Sequence, residues 1–203
     1  MSTARPLAAP PDPRTIDHFV YLRVGWDDYE KLLAMRGESS VPRITYLNGV
    51  VELMSPSSYH ELDKKRFARL LEAWSEVAGV ELEGYGSWTL TDEEQEVGAE
   101  ADECYTVGRL AVDDEDRPDV AIEVVWTSGG VNKLEVYRKL GVREVWYFRK
   151  GKIQPHVLRG ERYEAVSRSE VLPGIDIEQL ASFIDRPSTS RAIKEYRAAI
   201  RGR

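Results

Sequence analysis

The fold is decided by the stretch from Pro118 to Lys139, PDVAIEVVWTSGGVNKLEVYRK. This stretch predicts an apolar strand, a glycine turn and an amphipathic helix. By the two-residue repeat of a strand, one face carries Val120, Ile122, Val124 and Trp126, and the other carries Asp119, Ala121, Glu123 and Val125. Glu123 therefore falls among side chains that we expect to be buried. Because an unpaired buried carboxylate costs several kcal/mol, we expect a metal ion, a lysine or a hydrogen-bond network beside it.

The residues on either side predict the rest of a sheet. We expect a strand at residues 101–107, which returns through a polar loop as the antiparallel partner of the opening strand. That pairing brings Asp102 toward Glu123. Further strands are expected after the helix, at residues 142–148, 153–158 and 163–166. The pattern is a β-α-β crossover embedded in hairpins.

Upstream, residues 43–54 give a strong hairpin signal, with Asn48-Gly49 suited to a type I′ turn between two alternating strands. Glu52 lies within the second strand. Ser58, with Glu61 three residues later, predicts a capping box and a helix that ends at Gly79. His60 falls in the first turn of this helix, and a basic cluster that could meet phosphates follows at Lys64, Lys65, Arg66 and Arg69.

Composition limits the class of protein. The chain has 203 residues, of which 42% are hydrophobic and 31% charged, and its formal net charge is −7. A net negative charge argues against a surface that attracts nucleic acid everywhere, although it leaves room for a local basic groove. A single cysteine, Cys104, excludes an internal disulfide. No signal-peptide core and no long apolar run is evident, so we expect a cytoplasmic protein without membrane contact.

The same patterns predict the domain organisation. Residues 1–16, rich in proline and alanine, are expected to form a flexible tail. Residues 17–185 are expected to form one α/β domain, followed by a C-terminal helix within residues 186–203.

Three acids fall on predicted central strands: Glu52, Asp102 and Glu123. Oxygen ligands of this kind suit Mg²⁺ or Mn²⁺, and the cysteine and histidine spacing of a zinc site is absent. Lys133 opens the crossover helix, where the helix dipole disfavours a cation by roughly 0.3–1 kcal/mol. A lysine at that position suggests a function, whereas Lys139 in the last turn is favoured by the dipole and is interpreted as structural.

Four motifs occur in order: NGVVELMSPSSYH, EADECY, PDVAIEVVWTSGG and KLEVYRKLGVREVW. On these motifs the chain, from about Trp26 to Leu158, resembles the Uma2 family, also called DUF820. Members of this family are described as endonucleases of the PD-(D/E)xK superfamily. The resemblance implies a restriction-endonuclease-like α/β fold, in which a mixed β-sheet core is flanked by helices.

Carried over by position, the resemblance implies that Asp102 is the core aspartate, Glu123 the second acid and Lys133 the lysine. The lysine has moved, because Val125 occupies the position that an ExK pattern would give it. Glu52 and His60 match the acidic and histidine positions of the first motif. Ala101 replaces the more usual proline before Asp102, which removes no functional group.

The implied function is a metal-dependent endonuclease acting on nucleic acid, with DNA as the expected substrate. Asp102 and Glu123, with the Val124 carbonyl, would hold Mg²⁺ or Mn²⁺, and Lys133 would orient or deprotonate the attacking water. Glu52 would bind a second metal ion or hold Lys133. His60 would reach the phosphate or orient Glu52. Edge strands and a charged last helix also suggest a homodimer.

Less specific interpretations remain open. Asp102 and Glu123 could each form a structural salt bridge with a basic residue at the end of a strand. Lys133 could be a solvated helix lysine, and His60 could be a capping or surface histidine. The tryptophans are more simply core than a base-stacking platform, and Cys104 is expected to be an inert core thiol. The rival function is a non-catalytic module that binds nucleic acid or a protein partner and retains the nuclease fold. A third possibility is hydrolysis of another phosphate ester at the same site.

Overall fold

A computed structural model describes residues 12, 14, 16–113, 115–126 and 130–202. The tail expected over residues 1–16 lies almost entirely outside this range, as do residues 127–129 of the predicted glycine turn. The division into a tail, a domain and a terminal helix therefore stays a prediction.

Within the described residues the chain forms five helices: α1 Trp26–Arg36, α2 Ser58–Ala78, α3 Lys133–Lys139, α4 Ile177–Ile184 and α5 Thr189–Arg201. The strands of its first half are β1 His18–Arg23, β2 Arg43–Leu47, β3 Val50–Ser55, β4 Leu82–Gly84, β5 Thr89–Asp92 and β6 Val97–Glu100. Those of its second half are β7 Glu103–Val107, β8 Val120–Val124, β9 Glu144–Arg149, β10 Lys152–Arg159 and β11 Arg162–Ala165.

The strands form two sheets. The first has the order β1-β3-β2-β6-β5 and is antiparallel throughout. The second has the order β11-β10-β9-β8-β7-β4, in which β8 and β9 are parallel and the other pairs antiparallel. The expected crossover from β8 through α3 to β9 is confirmed. This mixed α/β architecture confirms the predicted fold class and is consistent with a restriction-endonuclease-like fold.

The prediction of a strand at residues 101–107 was wrong about where the strand begins, because β7 starts at Glu103. Strand β6 belongs to the first sheet, the chain then crosses at Ala101-Asp102, and β7 begins in the second sheet. The sequence pattern missed β6 because glycine and alanine have low strand propensity. Gly98 is required there, since a Cβ at this position would lie 2.0 Å from the Tyr29 hydroxyl. The predicted antiparallel pairing of β7 with β8 is confirmed by the register of Glu103 opposite Ile122.

The predicted hairpin is formed by β2 and β3, with positive φ angles of 47° at Asn48 and 82° at Gly49. Helix α2 ends at Gly79 as predicted, but its N-cap is Ser57 and not Ser58. Ser57 has an extended backbone, and its Oγ accepts the His60 N–H at 3.2 Å. Two serines in succession make the cap ambiguous in the sequence, because either hydroxyl could accept from the first turn.

The two faces of β8 pack into different cores, as its alternation predicted. Val120, Ile122 and Val124 face the core beneath α2 and α4, whereas Ala121 faces the core beneath α3. Trp126 departs from the prediction, because the strand ends at Val124 and the indole is 40% exposed, packed against the Tyr59 ring.

Helix α5 packs against α2 and α4. Its buried face consists of Ala192, Ile193 and Tyr196. Among the described residues, no helix combines the length and apolar character needed to cross a bilayer.

Candidate active site

A cleft of about 520 Å³ opens between β3 of the first sheet and β8, β9 and β10 of the second. Four of the five residues singled out in the sequence line it: Glu52, His60, Glu123 and Lys133. Asp102 is not in its lining. That residue lies behind the cleft at the crossing between the sheets and is 1% exposed.

Glu123, on β8, is held from helix α3 by two side chains. Its Oε1 accepts a short hydrogen bond from the Tyr137 hydroxyl and lies 3.6 Å from Lys133 Nζ. Burial, and then the charge of Glu123, raise the pKa of Tyr137 well above its ordinary value, so the phenol stays a donor at neutral pH. The desolvation cost of burying the Glu123 carboxylate is therefore offset by the charge of Lys133 and by the hydrogen bond from Tyr137.

Lys133 is the first residue of α3, which Asn132 caps by accepting the Glu135 N–H. Its Nζ donates to Thr45 Oγ1 at 2.8 Å, which fixes the amine between the first sheet and Glu123. At the position where an ExK pattern would have lysine, the Val125 N–H donates to Phe148 O and continues the pairing of β8 with β9. The amine thus reaches the acid from the helix and not from the strand.

Glu52 lies on β3 directly opposite both Thr45 and Tyr21. Its Oε2 accepts the Val131 N–H at 2.9 Å, at the entrance to α3. Gly130 has a φ of 111°, and a Cβ at this position would lie 2.4 Å from Glu52 Oε2. Glu52 therefore anchors the loop that delivers Lys133 to the cleft.

Asp102 links the two sheets. Its Oδ2 accepts the Val124 N–H at 2.6 Å, which joins it to the end of β8. Its Oδ1 contacts the guanidinium of Arg43, which is 3% exposed, and lies 3.0 Å from His60 Nε2. Arg43 also donates to Glu61 Oε1 at 2.6 Å. The charge of Asp102 is thus balanced within the protein by a buried arginine.

His60 is fully buried and lies between two acids. Its Nδ1 is 3.2 Å from Asp17 Oδ2, while Asp17 Oδ1 accepts the Ser57 N–H at 2.8 Å. Burial alone would raise the pKa of Asp17, but the hydrogen bonds from His60 and Ser57 lower it below its ordinary value. An ionised Asp17 favours the proton on Nδ1, which leaves Nε2 able to accept from Arg43 Nη1 at 3.1 Å.

Sequence reasoning missed four residues of this network: Asp17, Arg43, Thr45 and Tyr137. Arg43 and Thr45 alternate along β2, so the two-residue repeat could have placed both on the face that carries Glu52. Tyr137 lies four residues after Lys133, which is the spacing of neighbours on one helix face. Asp17 gave no comparable signal, since it stands alone at the edge of the expected tail.

The donor chemistry of the site fits a hard divalent cation. Asp102, Glu123 and the Val124 carbonyl offer only oxygen, although Asp102 Oδ1 already contacts the Arg43 guanidinium and lies 3.0 Å from His60 Nε2. In the part of the chain that the structure describes, no three histidine, cysteine or acidic side chains converge into a complete metal site. A Mg²⁺ ion held by Asp102 and Glu123 would therefore have to complete its shell with water and substrate phosphate.

The mixed α/β architecture is consistent with a restriction-endonuclease-like fold. A family model named Uma2, described as "Putative restriction endonuclease", matches residues 26–184, which is well over half of the chain. The chain belongs to the Uma2 family. No curated protein matches it.

Proposed function

We propose that this protein is a metal-dependent endonuclease that hydrolyses phosphodiester bonds in DNA. The observation that carries the proposal is the approach of Lys133 Nζ to Glu123 Oε1, at 3.6 Å, in a cleft shared with Glu52 and His60. Membership of a family described as restriction endonucleases supports the nuclease class. The metal ion, the DNA substrate and a cytoplasmic location belong to the proposal.

In this proposal Asp102 and Glu123, with the Val124 carbonyl, hold Mg²⁺ or Mn²⁺. The bound cation supplies positive charge against the phosphodiester and lowers the pKa of an adjacent water molecule. The backbone N–H of Val124 fixes the Asp102 carboxylate, and Tyr137 fixes that of Glu123. Carboxylates fixed in this way need little rearrangement when charge develops on the phosphate.

Lys133 orients the attacking water or takes its proton, because the amine lies beside Glu123 and is held by Thr45. Glu52 acts by anchoring the loop before α3, and it is a candidate ligand for a second metal ion. His60 links Asp17 to Arg43, whose guanidinium contacts the core aspartate Asp102. Both roles require the two sheets to be packed together, as they are in the folded protein.

A plasmid-nicking assay tests this function. Supercoiled DNA, single-stranded DNA and RNA are incubated with the protein and Mg²⁺ or Mn²⁺, and parallel samples contain EDTA. We expect nicking of DNA that EDTA abolishes. If the protein cleaves none of the three substrates with either metal ion, the proposal is contradicted.

One observation favours the alternative, a non-catalytic module that binds nucleic acid or a protein partner. Arg43 already balances Asp102, so the fold does not require a metal ion for its electrostatics. Calorimetric titration with Mn²⁺ separates the two functions. The nuclease requires binding that Asp102→Asn weakens by at least about 10-fold, whereas the module requires none.

We also propose that the protein forms a homodimer through an exposed sheet edge. Strand β11 is the outer strand of the second sheet, and Arg162 and Glu164 are exposed along it. A two-fold pair would present two clefts to two strands of DNA. Light scattering on the purified protein tests this, since a monomeric mass at working concentration contradicts it.

A further inference from the structure

The wall of the cleft opposite Glu52 is a flat face of the β9–β10 hairpin. The cleft is lined by Tyr147 and Arg149 on β9 and, besides Ile153, by Lys152, Gln154 and His156 on β10. In the register of the hairpin, Arg149 stands directly opposite Lys152, and Tyr147 stands opposite Gln154. Two cations are thus paired across the strands at the open end of the cleft.

Like charges directly opposite each other destabilise a sheet unless something neutralises them. Neither Arg149 nor Lys152 forms an ion pair or a side-chain hydrogen bond with any residue that the structure describes. At the other end of β10, Arg159 stands opposite Arg162, but each of these arginines has an acid beside it, Glu170 and Glu164 respectively. The first pair therefore has no ion-pair partner among the described residues, although Asp185 Oδ2 lies beside the turn between them and the acids Glu52 and Glu123 line the same cleft.

The other polar groups of this face are already engaged. Gln154 Nε2 donates to Val166 O at 2.8 Å, and His156 Nδ1 lies 3.1 Å from Gln154 O. The Arg149 guanidinium and the Lys152 amine have no such partner within the described part of the chain and are cationic donors available to a ligand. A guanidinium binds a phosphate through two parallel hydrogen bonds, and an ammonium binds it as a compact point charge.

We propose that Arg149 and Lys152 form a phosphate clamp that holds the backbone of the nucleic-acid strand whose scissile bond reaches Glu123 and Lys133. This inference rests on the proposed function and names how its substrate is bound. The clamp contacts phosphate and not bases, so it contributes affinity without sequence preference. It also explains how an acidic protein can bind a polyanion, since the positive charge is confined to one wall of the cleft.

The test is DNA binding in EDTA, where the proposed chemistry plays no part. Fluorescence anisotropy of a labelled duplex and a labelled single strand is measured over a range of salt concentrations. The double variant Arg149→Gln/Lys152→Gln is compared with Arg159→Gln/Arg162→Gln, which removes the same charge from the other end of β10. We expect the clamp variant to lose at least about 10-fold in affinity and its salt slope to fall by about 2, while the control changes by less than about 2-fold.

The result that overturns the clamp is an equal loss in both double variants, no loss in the clamp variant, or no measurable binding by the wild type at low salt. Thermal unfolding adds a second readout, because removing a pair of like charges should leave the melting temperature unchanged or raise it. If the protein never cleaves DNA but the clamp variant alone loses binding, the clamp stands and the nuclease fails. If it cleaves DNA and the clamp variant binds normally, the nuclease stands and the clamp fails.

Discussion

Lys133 Nζ, at the start of helix α3, lies 3.6 Å from Glu123 Oε1 on strand β8. This distance does not depend on these two residues alone, because the Lys133 amine also donates to Thr45 of the first sheet. The chain enters α3 through a loop anchored by Glu52. The acid and the lysine therefore meet only when both sheets and the helix have packed.

Replacing Lys133 by methionine should abolish most of the cleavage and leave the fold intact. Loss of a positioned acid–base group costs about 10²- to 10⁴-fold in rate, and the side chain is only partly buried. The measurement is kcat/KM on labelled duplex DNA. Lys139→Met, on the same helix but bonded to Asn48 and the Gln95 carbonyl, is the matched control. Equal rates for the two variants would contradict a catalytic role for Lys133.

Gly130→Ala should lose activity out of proportion to stability. Its φ of 111° strains any side chain by about 1–3 kcal/mol, and the new methyl group would also displace the Glu52 carboxylate. Gly174 has a similar φ of 103° but open space around it, so Gly174→Ala carries the strain alone. We expect Gly130→Ala to lose at least as much unfolding free energy as Gly174→Ala in denaturant titrations, with slow cleavage only for Gly130→Ala. Slow cleavage by both variants would contradict the hypothesis that activity depends on the contact between Gly130 and Glu52.

Asp63 should make stability depend on pH. Burial, and then the charge of Asp185, raise its pKa to about 6 in the folded protein, from an ordinary value of 3.8. Because the folded state binds this proton more tightly, the contribution of Asp63 is most favourable below about pH 4 and is lost as the pH rises through about 6. The loss amounts to at most about 3 kcal/mol.

The variant Asp63→Asn lacks the titrating carboxyl, so it does not lose this stability as the pH rises. The unfolding free energy of the variant relative to wild type should therefore increase between about pH 4 and pH 7, as measured by urea titration at each pH. Asp28→Asn, an exposed acid paired with Lys31, is the control and should show little change across the window. A difference that stays flat for Asp63→Asn would show that its carboxyl titrates normally.

Cys104 should be unreactive in the native protein. It is fully buried on β7, and burial raises the pKa of its thiol to about 12. Because the thiolate is the reactive species, a disulfide reagent at pH 8 should modify the native protein far more slowly than the denatured protein. Rapid modification of the folded chain would mean that β7 opens or that the thiol is exposed.

The sequence was informative wherever a feature depends on neighbours in the chain. The alternation around Glu123, the turn at Asn48 and the end of α2 at Gly79 follow from local geometry and were confirmed. Strand β6 was missed because glycine and alanine have low strand propensity, and the close approach of Tyr29 that requires Gly98 is not visible in any local pattern.

The buried network around Asp102 was missed for a related reason. Arg43 on β2, His60 on α2 and Asp17 before β1 come from three separate segments, and they meet only in the folded protein. Such contacts span tens of residues, so a residue's type and its immediate neighbours do not disclose its partner. The family resemblance supplied the positions of the acids and the lysine, but not the side chains that hold them.

The most direct test of the central claim is the single-turnover rate at which wild type and Glu123→Gln cleave a labelled duplex in Mg²⁺. Glu135→Gln, an acid on α3 outside the cleft, serves as the matched control. We predict cleavage by wild type and the control, and a rate at least about 10²-fold lower for Glu123→Gln under conditions in which thermal unfolding shows the variant to be folded. Cleavage by Glu123→Gln at the wild-type rate would contradict the assignment of this cleft as the active site.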